Sequence, residues 1–193
     1  MRKELVLKYN QPAPMGQEFA FSVREDVDDN SWEKWSLPLG NGCFGACVFG
    51  RTDVERIQIT ENSLCNPYTR TPDPLTRQGG LMSFVDILLK FGHKEYSNYL
   101  RELSLNEAVA RVSYDCHGVR FSRECFVSYP NRVLGIKLTA DKEKALNFRV
   151  SLFDAFVREY CHVAGDHCGK YSKVKALSKI GRASCRERVC LSV

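Results

Sequence analysis

Residues 108–152 read AVARVSYDCHGVRFSRECFVSYPNRVLGIKLTADKEKALNFRVSL, and this stretch decides the fold. Apolar and polar side chains alternate in four runs, at residues 110–116, 119–127, 134–140 and 146–152. A period of two is typical of strands that bury one face and leave the other in water. His117-Gly118 supplies a turn between the first two runs, and Arg123 is the one break in the alternation. The stretch therefore predicts an antiparallel meander with one wet face.

Further strands are predicted upstream of this meander. Residues 44–49 and 54–60 are indicated as two strands joined through residues 50–53. Residues 66–80 hold three prolines and two glycines, which favours a long loop, and residues 84–91 fit either a strand or a short helix. So many strands with alternating faces need a second sheet to cover the apolar side. We therefore predict an all-β fold, an antiparallel β-sandwich of the supersandwich-like kind.

Composition excludes several classes of protein. The chain has 193 residues, 44% of them hydrophobic and 26% charged, which is ordinary for a globular domain. Its net charge of +5 is scattered and forms no basic stripe, so no nucleic-acid partner is expected. No stretch approaches the ~18 apolar residues of a membrane span, and no signal peptide is recognisable at the N-terminus. Nine cysteines without C-x-x-C pairs indicate reduced thiols, hence a cytoplasmic location.

The last residues have a different origin from the rest. Residues 180–189 read IGRASCRERV, which is identical to one reading frame of a common sequencing adapter. Ten matching residues in a row favour a chimeric DNA read over a natural basic tail. We therefore divide the chain into residues 1–179, an N-terminal sandwich domain that is incomplete at its C-terminal end, and residues 180–193, an artefactual tail outside the fold.

A glycine motif needs a structural interpretation. Residues 40–45 spell G-x-G-x-x-G, the pattern that cradles a pyrophosphate at a helix N-terminus in dinucleotide-binding folds. That mechanism requires a helix next, whereas residues 46–50 (ACVFG) are strand-like and end at a glycine. A tight turn that enters a strand is the better interpretation.

Other candidate sites carry weak signals. Cys161-His162 and His167-Cys168 flank a short loop, but adjacent ligand pairs suit a closed tetrahedral zinc site poorly, so no metal or cofactor is predicted. Cys43 and Cys47 share a strand face and are interpreted as small core residues. Four carboxylates are available for the paired chemistry of glycoside hydrolysis, and no pair rises above surface charge: Glu61, Asp86, Asp115 and Glu124. Glu61 follows a predicted strand and opens a loop, and a structural role is favoured for it.

Seven segments in order resemble the N-terminal domain of glycoside hydrolase family 95, the inverting α-L-fucosidases. They are residues 37–42 with 45–50 (LPLGNG and GACVFG), 55–64 (ERIQITENSL), 91–93 (FGH), 99–105 with 108–112 (YLRELSL and AVARV), 123–124 (RE), 128–130 (SYP) and 138–142 (LTADK). Trp32 and Trp35 stand where that family has tryptophan before the glycine turn. The departures are Cys43 in place of a basic residue, Cys65 in place of a tryptophan, and residues 81–86 (LMSFVD), and they indicate a divergent subgroup.

The resemblance implies a function for the parent protein. In that family the β-sandwich precedes an (α/α)6 barrel that holds the general acid, the water-positioning asparagine and the base-side carboxylate. None of those motifs occurs here, so no catalytic residue, cofactor or metal is assigned, and the chain alone is expected to be inactive. The expected partner of the parent is a fucosylated oligosaccharide from a plant or host glycan, with an α-L-galactoside as the alternative within the same family.

A binding module is the alternative from another class. A carbohydrate-binding β-sandwich without hydrolase activity would stack aromatic side chains on sugar rings. Five aromatic residues are candidates, although in a sandwich such residues more often belong to the core: Trp32, Trp35, Tyr68, Tyr96 and Tyr99.

Overall fold

A computed structural model describes residues 4–14, 31–66, 80–154, 179–182 and 188–192. Within these ranges the chain consists almost entirely of strands, with one five-residue helix. In chain order the elements are β1 (Val6–Tyr9), α1 (Ser31–Trp35), β2 (Leu37–Gly40), β3 (Phe44–Val48), β4 (Val54–Asn66), β5 (Gly80–Lys90), β6 (Ser97–Ser104), β7 (Val109–Cys116), β8 (Val119–Ser128), β9 (Val133–Ala140), β10 (Asn147–Asp154), β11 (Lys179–Arg182) and β12 (Arg188–Ser192). The predicted all-β fold is confirmed.

The strands form two antiparallel sheets of six. The first sheet has the order β1-β6-β7-β8-β9-β12, and the second has the order β11-β10-β5-β4-β3-β2. The predicted meander supplies β7, β8 and β9 of the first sheet, while the last alternating run becomes β10 and crosses to the second. In the β7–β8 hairpin, Cys116 pairs with Val119 across a two-residue turn. Both turn residues have positive φ, 49° at His117 and 70° at Gly118, as a tight hairpin with right-handed twist requires.

The core lies between the sheets and follows the period of two. On β7 the buried residues are Ala110, Val112, Tyr114 and Cys116, and β9 contributes Leu134, Ile136 and Leu138. The second sheet contributes the buried residues Ala46, Val48, Ile57, Ile59, Ile87 and Leu89. Burying each large aliphatic side chain is worth about 1.5–3 kcal/mol, so this shared apolar layer is what holds the two sheets together.

Five strands are present that alternation did not predict, namely β1, β2, β6, β11 and β12. The interpretation of residues 84–91 resolves in favour of a strand, since they continue β5. The predicted loop 66–80 lies mostly outside the described residues, although Asn66 and Gly80 pair as strand residues. The helix α1 is far too short to cross a bilayer. Among the described residues there is no other helix that is long and apolar enough to do so.

Two local expectations are wrong. Glu61 does not open a loop, because β4 continues past it to Asn66, and the ladder to β5 shifts register between Thr60 and Cys65. Cys47 is not a core residue, because it alternates with buried Ala46 and Val48 and is half-buried on the other face of β3. Cys43 is half-buried too, but it packs against the core as expected. Because the pairing of β4 with β5 is irregular between Thr60 and Cys65, the strand continues past polar residues that in the sequence indicate its end.

Two short strands come from the end of the chain. β11 pairs with β10 and β12 pairs with β9, each at the outer edge of its sheet. Residues 179–182 and 188–192 therefore lie along the two edges that β9 and β10 would otherwise leave open.

Candidate functional site

A buried carboxylate organises the connection between β3 and β4. Glu55 is fully buried, and its Oε1 accepts the backbone N–H groups of Phe49 and Gly50, both at 2.9 Å. Its Oε2 accepts the N–H of Arg51 at 2.5 Å. Three successive amides thus converge on one side chain, which satisfies donors that a buried turn cannot offer to water.

The partner of this carboxylate comes from the opposite sheet. Arg123 of β8 places Nη2 at 2.7 Å from Glu55 Oε2 and at 3.0 Å from the carbonyl oxygen of Arg51. The two side chains are 3% and 0% exposed, so this ion pair is shielded from solvent and salt. Burial is the largest influence and lowers the pKa of Arg123, but the interactions with Glu55, Tyr114, Cys125 and Tyr99 together outweigh it, and the pKa is raised. The guanidinium therefore stays charged and cross-links the sheets.

A second arginine, from β6, encloses the same turn. Arg101 is fully buried and donates from Nη1 to the carbonyl oxygens of Phe49, at 3.1 Å, and Trp35. Its Nε donates to the carbonyl of Gln11 at 3.1 Å, and its guanidinium stacks 4.4 Å from the centroid of the Tyr9 ring. One side chain thereby connects the N-terminal segment and the last residue of α1 to the centre of the molecule.

The backbone at this centre leaves no room for a larger residue than glycine. Gly50 has φ of +73°, and a Cβ added there would lie 2.8 Å from both Arg101 Cδ and the Tyr99 hydroxyl oxygen. That hydroxyl donates to the Gly50 carbonyl oxygen, and burial raises the pKa of Tyr99 above its ordinary range. We call Glu55, Arg123, Arg101, Tyr99 and Gly50 the ionic centre.

The ionic centre is structural in its chemistry. General acid or nucleophilic catalysis needs a carboxyl group that a substrate can reach, and glycoside hydrolysis needs two of them facing each other. Glu55 is closed to solvent and saturated by four donors. It can hold the turn and pair the sheets, but it cannot exchange a proton with a bound sugar.

The sequence-predicted carboxylates of the second sheet lie apart from the ionic centre. Glu61 accepts the backbone N–H of its neighbour Ser63 at 3.0 Å as well as that residue's hydroxyl. Asp86 of β5 is 3.0 Å from Arg56 Nη2 in a partly buried pair. Each is occupied by a local partner, and the two do not form a catalytic pair with each other.

The two carboxylates of the first sheet face solvent within ion pairs. Glu124 bridges Arg111, at 3.2 Å, and Lys137, at 3.0 Å, and these hydrogen bonds lower its pKa. Asp115 pairs with Arg120 at 2.9 Å. Both carboxylates are thus partly exposed members of ion pairs on the first sheet.

The glycine motif is a hairpin turn, as predicted. Gly40 and Gly45 face each other as the last pair of the β2–β3 ladder. Asn41 closes the turn, because its Oδ1 accepts the N–H groups of Cys43 and Phe44 at 2.9 and 3.0 Å. A strand follows the turn, so the helix N-terminus that a nucleotide phosphate needs is not there.

The aromatic residues proposed to stack on sugar rings differ in how far they are exposed to solvent. Tyr99 is a core residue at 8% exposure, whereas Tyr96 is 44% exposed. Trp35 contributes a backbone carbonyl to Arg101. Tyr68 and the Cys-His pairs at 161–168 lie outside the described residues, and the side chain of Trp32 does as well. In the described part of the chain, no group of three or more potential ligands comes together around a metal position.

An open pocket lies at the turn end of the β7–β8 hairpin. It has a volume of about 570 Å³, and Tyr96, Asp115, His117, Arg120 and Asp141 are among the residues that line it. Periodicity could not have located this pocket, because it is formed by the β5–β6 connection and a turn that are 20 residues apart in sequence.

Comparisons with known proteins give the chain its context. The family model described as "Glycosyl hydrolase family 65, N-terminal domain" matches residues 7–82 and 76–168. The chain is also 30% identical over 190 residues to the protein named alpha-L-fucosidase 2 of Arabidopsis thaliana, over 79% of this chain and 21% of that protein. The chain thus spans about a fifth of that relative's length.

Proposed function

We propose that this chain, which belongs to the glycosyl hydrolase family 65 N-terminal domains, is the non-catalytic scaffold of a glycosidase. The match of that family over residues 7–168 is the observation that carries the proposal. The geometry supports it, because the most deeply buried ionisable residues bind backbone groups and one another rather than open onto a cleft.

The proposed parent enzyme is an inverting α-L-fucosidase of glycoside hydrolase family 95. This finer assignment is supported by the 30% identity to a protein named alpha-L-fucosidase 2 and by the seven sequence segments given above. The substrate would be a fucosylated oligosaccharide. One carboxylic acid would protonate the departing oxygen while a second carboxylate activates water on the opposite face of the sugar. Both groups would lie in a following catalytic domain.

Two assays test this assignment. The 193-residue chain should not hydrolyse p-nitrophenyl α-L-fucoside, whereas the full product of the parent gene should. NMR of the first-formed sugar should then show inversion at the anomeric carbon. Turnover by the purified chain that is lost in a Glu61→Gln variant would overturn the scaffold proposal. A parent that prefers the α-L-galactoside would overturn the choice of fucose and leave the scaffold role intact.

We further propose that residues 180–193 are not encoded by the parent gene, so that residues 1–179 are the part of this chain that belongs to the sandwich domain. The identity of residues 180–189 to an adapter reading frame supports this. A row of charges across the first sheet supports it too, because Glu102, Arg111, Glu124 and Lys137 alternate in sign at paired positions. β12 then places an arginine at the position that pairs with Lys137, which puts like charges opposite each other. Sequencing the source DNA across codons 179 and 180 tests the proposal, and an uninterrupted natural frame would overturn it.

A cytoplasmic location is the remaining proposal. Cys43, Cys47, Cys116 and Cys125 are all free thiols, which suits a reducing compartment. Fractionation of the source cells with an antibody against the domain would test it, and recovery in a secreted fraction would overturn it.

A further inference from the structure

The pocket at the β7–β8 hairpin combines an exposed aromatic ring with fixed polar groups. Tyr96 lies in the β5–β6 connection, 44% exposed, and its ring leans on buried Tyr99 with 5.6 Å between centroids. The opposite wall is the hairpin from Asp115 to Arg120, and Asp141 lies beside it. A volume of about 570 Å³ is within the usual range for small-molecule sites, ~300–1,000 Å³.

The polar groups of the pocket are already oriented. Asp115 Oδ1 pairs with Arg120 Nη1 at 2.9 Å, and its Oδ2 accepts from Asn98 Nδ2 at 2.6 Å. Arg120 Nη1 also reaches the Asn98 carbonyl at 3.2 Å, and the Arg120 N–H donates to Asp141 Oδ1 at 2.9 Å. Hydrogen bonds from Asn98 and Arg120 hold the pKa of Asp115 below its ordinary value. Because these groups are fixed in advance, a ligand would lose little affinity in ordering them.

The backbone around the pocket is held in an uncommon conformation. Asn98 and His117 both have φ of 49°, although neither is glycine. Asparagine and histidine tolerate this region better than most residues, and such conformations cluster at ligand sites. His117 takes this conformation because the two-residue hairpin turn between Asp115 and Arg120 requires it, and Asn98 donates to Asp115, so both residues help to hold that pair in place.

The charges of the pocket select the class of ligand. Three carboxylates line it, those of Glu95, Asp115 and Asp141, against the guanidinium of Arg120. Lys142 lies just beyond Gly118. Excess negative charge disfavours a phosphate or sulfate, while the direct pairing of Asp115 with Arg120 weakens the field that a metal ion would need. A neutral polyol fits better, because its hydroxyls can both donate to the carboxylate and accept from the guanidinium.

We propose that this pocket binds a single pyranose unit of a neutral glycan. The apolar C–H face of the sugar packs on the Tyr96 ring, and adjacent hydroxyls bind the Asp115–Arg120 pair. The site is built from residues of the sandwich alone, whereas its role in a larger enzyme rests on the function proposed above. It would give a multidomain hydrolase a second point of attachment to its polymer and raise the effective concentration of chain ends.

Saturation-transfer NMR on the 193-residue chain tests the proposal. The probes are methyl α-L-fucopyranoside and methyl β-D-galactopyranoside, with tetramethylammonium as the probe for a cation site. We expect transfer to at least one glycoside, and a loss of affinity of about tenfold or more in both Tyr96→Ala and Asp115→Asn. Tyr129→Ala is the matched control, because Tyr129 is also exposed, at 73%, but follows the far end of β8. At about 3.3 Å per residue it is roughly 30 Å from the pocket, so this variant should bind normally.

Each outcome decides the question. No transfer to either glycoside, or transfer that survives both pocket substitutions, overturns the proposal. Binding of tetramethylammonium without either sugar overturns it in favour of a cation site. If Tyr96→Ala does not fold, the amide shifts of residues 115–120 in the unsubstituted chain replace it: they should move on titration with the glycoside, and constant shifts would overturn the site.

Discussion

Arg123 and Glu55 meet at 2.7 Å across the two sheets although 68 residues separate them in sequence. Both are buried, and between them they bind the backbone of residues 49–51 as well as each other. A buried ion pair of this kind gains little over an apolar pair of the same volume, but losing one partner leaves the other charge unpaired in the core. This ion pair explains why β8 carries an arginine among its inward-facing apolar residues.

We expect Glu55→Gln to lower the free energy of unfolding by about 3–5 kcal/mol, since Arg123 would keep its charge without a counterion. Urea unfolding followed by circular dichroism measures this. Glu124→Gln is the matched control, because Glu124 adjoins Arg123 but makes solvent-exposed pairs with Arg111 and Lys137. Such pairs are worth less than about 1 kcal/mol. Equal losses in the two variants would contradict a special role for the buried pair.

Two glycines allow a second comparison. Gly50→Ala should destabilise the fold by several kcal/mol more than Gly42→Ala, judged by thermal and urea unfolding. Both have positive φ, so both substitutions cost about 1–2 kcal/mol of backbone strain. Only at Gly50 would the new Cβ press on Arg101 and Tyr99 at 2.8 Å, whereas nothing lies within 4 Å at Gly42. Similar losses at the two positions would show that the ionic centre can rearrange.

The strands that sequence predicted and those it missed differ in one physical respect. Runs such as residues 134–140 bury only apolar side chains, so the period of two is clear. On β6 the buried residues are Tyr99, Arg101, Leu103 and Ser104, and the arginine interrupts the apolar face just as Arg123 does on β8. Strands β1 and β2 are four residues long, too short for a period to establish itself.

The ionic centre is also visible in the sequence, as charged residues at inward-facing positions of two strands, but the alternation of polar and apolar residues does not reveal it. Glu55 shares its face of β4 with Ile57 and Ile59, and Arg123 shares its face of β8 with Phe121 and Cys125. Two opposite charges at inward positions of different strands predict an ion pair across the sandwich. What the sequence could not provide is the sheet order, which brings β4 and β8 face to face. The pocket beside Tyr96 was also out of reach, because it depends on how the β5–β6 connection packs beside the β7–β8 turn.

Cysteine reactivity tests the packing of β8. Burial raises the pKa of Cys125 to about 12, so almost none of its thiol is ionised near pH 8. In the native chain, iodoacetamide should modify Cys125 at least about a hundredfold more slowly than Cys43, which is only half-buried. Mass spectrometry distinguishes them, since trypsin places Cys125 in the peptide 124–132 and Cys43 in the peptide 35–51, where fragmentation separates its modification from that of Cys47. Unfolding in guanidinium should equalise the rates, and equal rates in the native chain would contradict the buried position of Cys125.

The acid dependence of stability should depend on His93. This residue follows β5 and packs its ring on Phe121, at 4.3 Å between centroids, while its Nδ1 is 2.8 Å from the Tyr114 hydroxyl. Burial, and then the charges of His117 and Arg123, lower the pKa of His93 below its ordinary value of 6.5, with Asp53 opposing them. The native state therefore binds fewer protons than the unfolded state in this range. The stabilisation is complete above pH 6.5 and is lost as the pH falls through the lowered pKa.

We expect the free energy of unfolding to decrease between pH 7.5 and 5.5, and to decrease less in His93→Phe, which keeps the ring contacts but cannot titrate. The three other histidines are common to both proteins, so the difference between the two pH profiles reports His93. Parallel profiles would mean that the ring takes up its proton as readily in the folded chain as in the unfolded one.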